Sequence, residues 1–425
     1  MVDIKVKKVN SGLKGTVIIP SDKSISHRSV MFSSLAKGKS IINNFSNGAD
    51  CISTMNLFKS LGVEINRTSE KSLEVISNGI LKPLKEELDC GNSGTTMRLC
   101  TGILAGQNFN SILFGDESLS KRPMRRVITP IELMGGNITS NDGKAPLKIK
   151  GTALNGIEYR SPIASAQVKS CVLLAGLHAT GKTTVIEPYI SRNHTELMLK
   201  YMGANITTLN NSTTVEKSEL EPRVIDVAGD ISSSAYFIVA GLIIPNSDIV
   251  IKNVGLNPTR TGIIDVVKRM GGNIEILNQN TVSGELVGDI RVKYSQLKGC
   301  SISGDDIPRL IDELPVIALL ATQADGETII SDAQDLRKKE SDRITTITNG
   351  LNSLGGNIQE KPDGFIINGK TILKGDKELE VFHDHRLAMT YYVAGLICEK
   401  EILIKEFQWV NISFPEFEKL FNNLF

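Results

Sequence analysis

Apolar and small polar positions alternate along this chain in one pattern that returns six times. A short polar run opens an apolar helix at Ser21-Asp22-Lys23-Ser24, Gly91-Asn92-Ser93-Gly94, Ala164-Ser165-Ala166-Gln167, Gly229-Asp230-Ile231-Ser232, Leu310-Ile311-Asp312-Glu313 and Phe382-His383-Asp384-His385. With Lys23, Ser93, Ser165, Ser232, Asp312 and Asp384 as markers, the copies stand 70, 72, 67, 80 and 72 residues apart. Behind the helix a turn leads into a β-branched run, clearest in Gly38-Lys39-Ser40-Ile41-Ile42 and Gly326-Glu327-Thr328-Ile329-Ile330. A second helix then ends at Leu61-Gly62-Val63, Met134-Gly135-Gly136, Met202-Gly203-Ala204, Met270-Gly271-Gly272 and Leu354-Gly355-Gly356. A glycine just past an apolar helix is a left-handed cap, and the Asn-Ile that follows four of these glycines opens a strand. A sixth cap would fall at 417–425, where the sequence ends.

Two elements kept in phase this often mark a repeated unit. It spans roughly 70 residues in the order βαβαββ, and six units account for the chain. Alternating strands and helices place it in the α/β class. The runs Ile103-Leu104-Ala105, Val172-Leu173-Leu174-Ala175, Phe237–Leu242 and Leu314–Leu320 are apolar nearly all round, so these helices are expected to be buried. Packed together inside a jacket of sheets, they would bring their N-termini out at one end. The first helix, with Ile25, Phe32, Leu35 and Ala36, is expected to bury one face only.

A length of 425 residues exceeds what one core usually supports, so two domains are expected. The net charge is +1, which provides no global field for nucleic acid or an anionic membrane. Any basic site must therefore be local. Six cysteines without a C-x-x-C pair fit reduced thiols in a cytoplasmic protein rather than a disulfide framework or a zinc site. The start Met1-Val2-Asp3-Ile4-Lys5 lacks a signal-peptide core, and no apolar run is long enough to span a membrane.

The candidate chemistry lies at the helix starts. Lys23, Ser24 and Arg28 share the first turns of a helix whose N–H groups favour an anion. Gly91-Asn92-Ser93-Gly94-Thr95-Thr96 lets a ligand approach the backbone closely. Within Lys121-Arg122-Pro123-Met124-Arg125-Arg126, one or two cations are expected to face a site. Lys339 and Arg343 are expected on one face of a helix start, with Glu340 beside them as a proton carrier. Asp312 and Glu313 open another helix, where a carboxylate can cap it or take a proton from a hydroxyl. His383, Asp384 and His385 lie too close together to form a metal site alone, and no metal is expected. Gly176-Leu177-His178-Ala179-Thr180-Gly181-Lys182-Thr183 matches the P-loop pattern, yet a helix precedes it and a strand follows, the reverse of what nucleotide binding needs.

With these residues in view, the chain resembles the 5-enolpyruvylshikimate-3-phosphate synthase family of enolpyruvyl transferases over nearly its whole length. The resemblance rests on Asp22-Lys23-Ser24 with Arg28, Gly91–Thr96 with Arg98, Lys121-Arg122-Pro123-Met124, Ser165-Ala166-Gln167-Val168-Lys169-Ser170, Lys339-Glu340-Ser341-Asp342-Arg343 and Asp384-His385-Arg386. It implies two domains of three units each, 22–230 inserted into 1–21 plus 231–425, with the active site in the cleft between them. It also implies a monomer that uses shikimate 3-phosphate and phosphoenolpyruvate, with no cofactor, metal, nucleic acid or membrane. Addition followed by elimination through a tetrahedral ketal would release phosphate. Lys23 would lie between both substrates. Ser24, Arg28, Ser165 and Gln167 would hold shikimate 3-phosphate, with Lys339 and Asp312 at ring hydroxyls. Gly94, Arg122, Gln167, Arg343 and Arg386 would hold phosphoenolpyruvate. Asp312 would accept the 5-hydroxyl proton and Glu340 would protonate the methylene carbon.

Three positions depart from the better-known branch and point to the family's second class. Ala166 stands where many members have a second serine, Leu99 where that branch has proline, and Ile412 where it has a lysine. The sister transferase acting on UDP-N-acetylglucosamine carries a cysteine five residues before an Arg-Pro pair; here that position is Glu117. A non-catalytic repeat protein that binds a phosphorylated ligand is the alternative of another kind, and Asp312 and Glu340 weigh against it.

Overall fold

The computed structural model describes residues 2–425. The six apolar helices are α1 (Lys23–Leu35), α2 (Gly94–Ala105), α3 (Ala166–Gly176), α4 (Ile231–Ile243), α5 (Leu314–Thr322) and α6 (His385–Gly395). Two compact units contain them, each with its own apolar core. One unit is Ser21–Ala228 with Thr281–Glu285; the other is Met1–Pro20, Gly229–Asn280 and Leu286–Phe425.

In the first unit, three four-stranded sheets share one order. A short edge strand runs parallel to a central strand, and an antiparallel hairpin completes the sheet. Parallel neighbours need a crossover, and α2 supplies it between Glu87–Asp89 and Asn110–Phe114, as α3 does between Glu158–Arg160 and Thr183–Ile186. The third sheet takes its edge from the far end of the unit, where Val224, Ile225 and Asp226 pair with Ile41, Ile42 and Asn43. Helices α2 and α3 cross at Gly102, where a Cβ would lie 2.0 Å from the carbonyl oxygen of Cys171. Only glycine permits that approach.

In the second unit, Lys14–Ile18 pairs parallel with Asp248–Gly255, which ties the start of the chain to its later part. Helix α4 is buried along its whole length, and each large aliphatic or aromatic side chain so buried contributes about 1.5–3 kcal/mol. The place where a sixth helix cap would fall carries instead a helix, Phe417–Asn422. Its Phe417 and Phe421 pack on Tyr236, Phe237 and Tyr392, and the Phe237 and Phe421 rings stack at 4.2 Å.

The five glycines read as left-handed caps, Gly62, Gly135, Gly203, Gly271 and Gly355, have φ between +79° and +110°. The P-loop look-alike is a turn between α3 and the strand Thr183–Ile186, with Lys182 paired to Glu216 at the surface. A segment that the sequence does not set apart is Thr281–Glu285, the tip of the hairpin formed by Asn273–Val282 and Glu285–Lys293. It belongs with the first unit, where Ser283 Oγ accepts from the Asp226 amide at 2.9 Å and Glu285 Oε1 meets His194 Nδ1 at 2.7 Å.

Helix α1 corrects an expectation. It is buried on every side from Ile25 to Leu35, including Ser26, His27, Arg28, Ser29, Ser33 and Ser34. Buried polar groups need partners, and most find them close by. Ser29 and Ser34 donate to the carbonyls of Ser26 and Val30, and His27 Nδ1 lies 2.6 Å from Thr54 Oγ1. Thr54 continues to Thr96 and on to Ser93, the cap of α2. Burial pushes the His27 imidazole down from 6.5 to about 3. The unfolded chain thus takes a proton below about pH 6.5 that the folded chain refuses until about 3, so acid favours unfolding across that window. His27→Asn is therefore expected to flatten the loss of melting temperature between pH 6.5 and pH 4 relative to the parent. Parallel melting curves would remove His27 from the acid response.

Candidate active site

Each unit gathers charge at its helix starts. In the first unit, Asp22, Ser93 and Ser165 cap α1, α2 and α3 by accepting from the amides of Ile25 at 2.8 Å, Thr96 at 3.1 Å and Val168 at 3.5 Å. These caps fix where the helices begin. Beyond them, Lys23 pairs with Asp50. Arg28, one turn further along, is 4% exposed. Its Nε donates to Thr195 Oγ1 at 2.7 Å, one terminal nitrogen to Ser170 Oγ at 2.8 Å and the other to the Ser24 carbonyl at 3.0 Å. Burial pushes this guanidinium down to about 10, with Glu196 working in the opposite direction. It remains a cation at neutral pH, held in a place that penalises charge.

At the start of α2, two guanidiniums converge on Gly94. A Cβ there would lie 3.0 Å from Arg98 Nη1 and 3.5 Å from Arg122 Nη1. Arg98 donates to Gln167 Oε1 at 2.6 Å, Gln167 donates to Thr95 Oγ1 at 3.1 Å, and Arg122 donates to Asn92 Oδ1 at 2.8 Å. Two neighbouring cations at a helix N-terminus repel each other until an anion joins them, which makes this a place for a carboxylate or phosphate. Of the other cations in the basic run, Lys121 turns to Glu117 and Arg125 to Asp142 at the exposed surface.

In the second unit, five of the residues singled out in the sequence come together. Lys339 Nζ donates to Asp312 Oδ1 at 3.1 Å, Arg343 lies 3.7 Å from the same oxygen, and Arg386 lies 3.9 Å from Oδ2. Arg386 also donates to the Asp312 carbonyl at 3.2 Å. Glu340 Oε2 accepts from Arg343 at 2.6 Å. Burial works against the charge on Arg343 and Arg386, but Asp384 with Glu340 at the first, and Asp312 at the second, outweigh it and raise both above the usual arginine range.

The route by which Lys339 and Arg343 meet differs from expectation. They are not on one helical face. Gln334–Lys338 is a 3₁₀ turn, Lys339 is extended, and the helix starts only at Arg343 because Asp342 caps it by accepting from the Thr345 amide at 3.2 Å. Asp312, rather than helical spacing, brings the two cations together.

Several residues in these clusters carried no assigned role in the sequence. Asp384 receives Arg343 Nε at 2.7 Å and Nη2 at 3.1 Å, Ser341 Oγ at 3.0 Å and the Arg386 amide at 2.9 Å. It thereby positions two arginines at once. Asp50, Ser170 and Thr195 likewise lie far in sequence from the cations they hold, and no periodicity marks them. Arg98 stood inside a motif, and its i, i+4 offset from Gly94 was the signal available for it.

The fold is that of the enolpyruvyl transferases. The crystal structure of the enolpyruvyl transferase NikO from Streptomyces tendae is 16% identical, superposes with a TM-score of 0.78, and covers 99% of this chain and 96% of its own. Greater similarity joins the chain to an EPSP synthase structure from Acinetobacter baumannii, with a TM-score of 0.90 at 40% identity over 99% of this chain and 98% of that one. A 3-phosphoshikimate 1-carboxyvinyltransferase of Thermoanaerobacter sp. (strain X514) is 52% identical over 100% of both chains. One from Bacillus licheniformis is 50% identical over 96% of both. The family model for EPSP synthase (3-phosphoshikimate 1-carboxyvinyltransferase) matches residues 7–421, and the chain belongs to that family. Its members are transferases of the shikimate and aromatic amino acid pathway.

Proposed function

We propose that this chain transfers the enolpyruvyl group of phosphoenolpyruvate to the 5-hydroxyl of shikimate 3-phosphate and releases phosphate. The observation that carries this reading is the pairing of Asp312 and Glu340 with Lys339, Arg343 and Arg386 in one cluster. A proton acceptor and a proton donor stand there among fixed cations, as transfer between two multiply charged anions requires. The reading draws on residues of both units. Ser24, Arg28, Ser165, Gln167 and Lys339 take shikimate 3-phosphate. Gly94, Arg122, Gln167, Arg343 and Arg386 take phosphoenolpyruvate. Lys23 serves both.

In the addition step, the substrate oxygen bonds to C2 of phosphoenolpyruvate as its proton passes to Asp312, and Glu340 gives a proton to C3. The resulting ketal carries a methyl group. Elimination breaks the C2–O bond to phosphate while a methyl proton returns to the Glu340 carboxylate, and the double bond re-forms. Substrate anions that engage Arg343 and Arg386 would offset the positive charge beside Asp312 and Glu340 during the reaction. The net charge of +1 gives no field for nucleic acid or a membrane, the scattered cysteines fit the cytoplasm, and the family likeness fits a monomer without cofactor or metal.

Lys23→Ala tests the shared role. It is expected to weaken both substrates by about tenfold or more, in keeping with the ~1.5–3 kcal/mol of a charge-assisted hydrogen bond. Isothermal titration with each substrate in turn reads this directly. Loss of affinity for one substrate alone contradicts the bridging assignment.

A further inference from the structure

Arg28 and Arg343 are both buried, yet they are held by opposite means. Arg343 sits against the carboxylates of Asp384 and Glu340. The contacts of Arg28 are two hydroxyls and a backbone carbonyl, and no carboxylate among the described residues hydrogen-bonds to it. A carboxylate would fill the guanidinium fork and cancel the charge that an incoming anion needs. A hydroxyl accepts the N–H and leaves the charge in place. With Nε on Thr195, one terminal nitrogen on Ser170 and the other on the Ser24 carbonyl, each terminal nitrogen keeps one N–H that these bonds do not use.

The two hydroxyls are themselves fixed. Ser170 is on α3, and Thr195 is on the helix His194–Tyr201. Their oxygens lie 2.6 Å apart. Beside them, the buried Lys169 holds Glu187 and Glu196 at 2.8 Å each and donates to the Ser191 carbonyl at 3.2 Å. That clamp locks the segment 187–196 onto α3. It also keeps the negative charge of Glu196 near Arg28 without direct contact.

We infer that Ser170 and Thr195 are positioning residues that hold Arg28 in plane, still charged, with one edge open to an anionic group of shikimate 3-phosphate. The inference rests on the assignment of Arg28 to that substrate.

Steady-state kinetics of Thr195→Val, Thr195→Ser, Ser170→Ala and Arg28→Ala, each checked by thermal melting, test both levels. Thr195→Val and Ser170→Ala are expected to raise KM for shikimate 3-phosphate by about 5- to 30-fold. In both, kcat and KM for phosphoenolpyruvate are expected to change by less than about threefold, and Thr195→Ser should restore KM. If Arg28→Ala raises KM while both hydroxyl deletions stay within about twofold of the parent, the positioning inference is wrong and the site assignment stands. If Arg28→Ala also leaves KM unchanged, the site assignment falls with it. Equal rises in KM for both substrates, or a loss of kcat that Thr195→Ser does not restore, would mark a general structural role and overturn the inference. Should Thr195→Val not fold, Ser170→Ala at a parental melting temperature decides the same question.

Discussion

Glu340→Gln is expected to bind both substrates within a few-fold of the parent and to lose about 10²- to 10⁴-fold in turnover, the usual contribution of a general acid–base group. Glutamine keeps the carbonyl oxygen that accepts from Arg343 at 2.6 Å, so the guanidinium stays in place. What disappears is the proton that the methylene carbon must receive. The side chain lies at the edge of the cluster, with 29% of its surface exposed, so the packing cost is small. Pre-steady-state and steady-state measurements together separate the outcomes: unchanged substrate affinity with collapsed kcat fits a proton carrier. Parental turnover would remove Glu340 from the chemistry.

Asp384→Ala is expected to destabilise the protein by about 3–5 kcal/mol, since it leaves the buried Arg343 charge without its main partner. Arg343 is 1% exposed and Asp384 fully buried, so water cannot take over the lost contacts. The same substitution removes the cap that accepts from the Arg386 amide and the acceptor of Ser341. Arg343 and Arg386 should both drift, and KM for phosphoenolpyruvate should rise together with the fall in stability. Denaturant titration measures the first effect and initial rates the second. A change below about 1 kcal/mol, the level of an exposed ion pair, would mean that Glu340 and Asp312 suffice to hold Arg343.

Much of the architecture was written in period and punctuation. The apolar helices, the β-branched runs and the left-handed glycines such as Gly62 and Gly271 are local signals, and a local signal survives in sequence. The edge strand Val224–Asp226 is different, because three residues have no period and their partner Ile41 is set by tertiary packing. Helix α1 misled for a related reason. Its serines, His27 and Arg28 look solvent-facing, but hydrogen bonds to nearby carbonyls and to Thr54, Ser170 and Thr195 hold most of them inside the core, leaving Ser33 Oγ and His27 Nε2 without a hydrogen bond.

The site shows the same division. Charged residues that stand at helix starts, such as Asp312, Arg343 and Arg386, could be singled out from their motifs. Their supports could not. Asp384 caps a helix and Thr195 is one polar residue among many, and only the fold sets them against Arg343 and Arg28. Lys339 shows that a correct grouping can follow from an incorrect local geometry, since a carboxylate gathers cations whatever the backbone between them does.

The most direct test of the account is phosphate release from phosphoenolpyruvate, followed with purified protein and shikimate 3-phosphate or UDP-N-acetylglucosamine as acceptor. Release that requires phosphoenolpyruvate and shikimate 3-phosphate together, and does not occur with UDP-N-acetylglucosamine, is the predicted result. Release with the nucleotide sugar instead, or none with either acceptor, would contradict it.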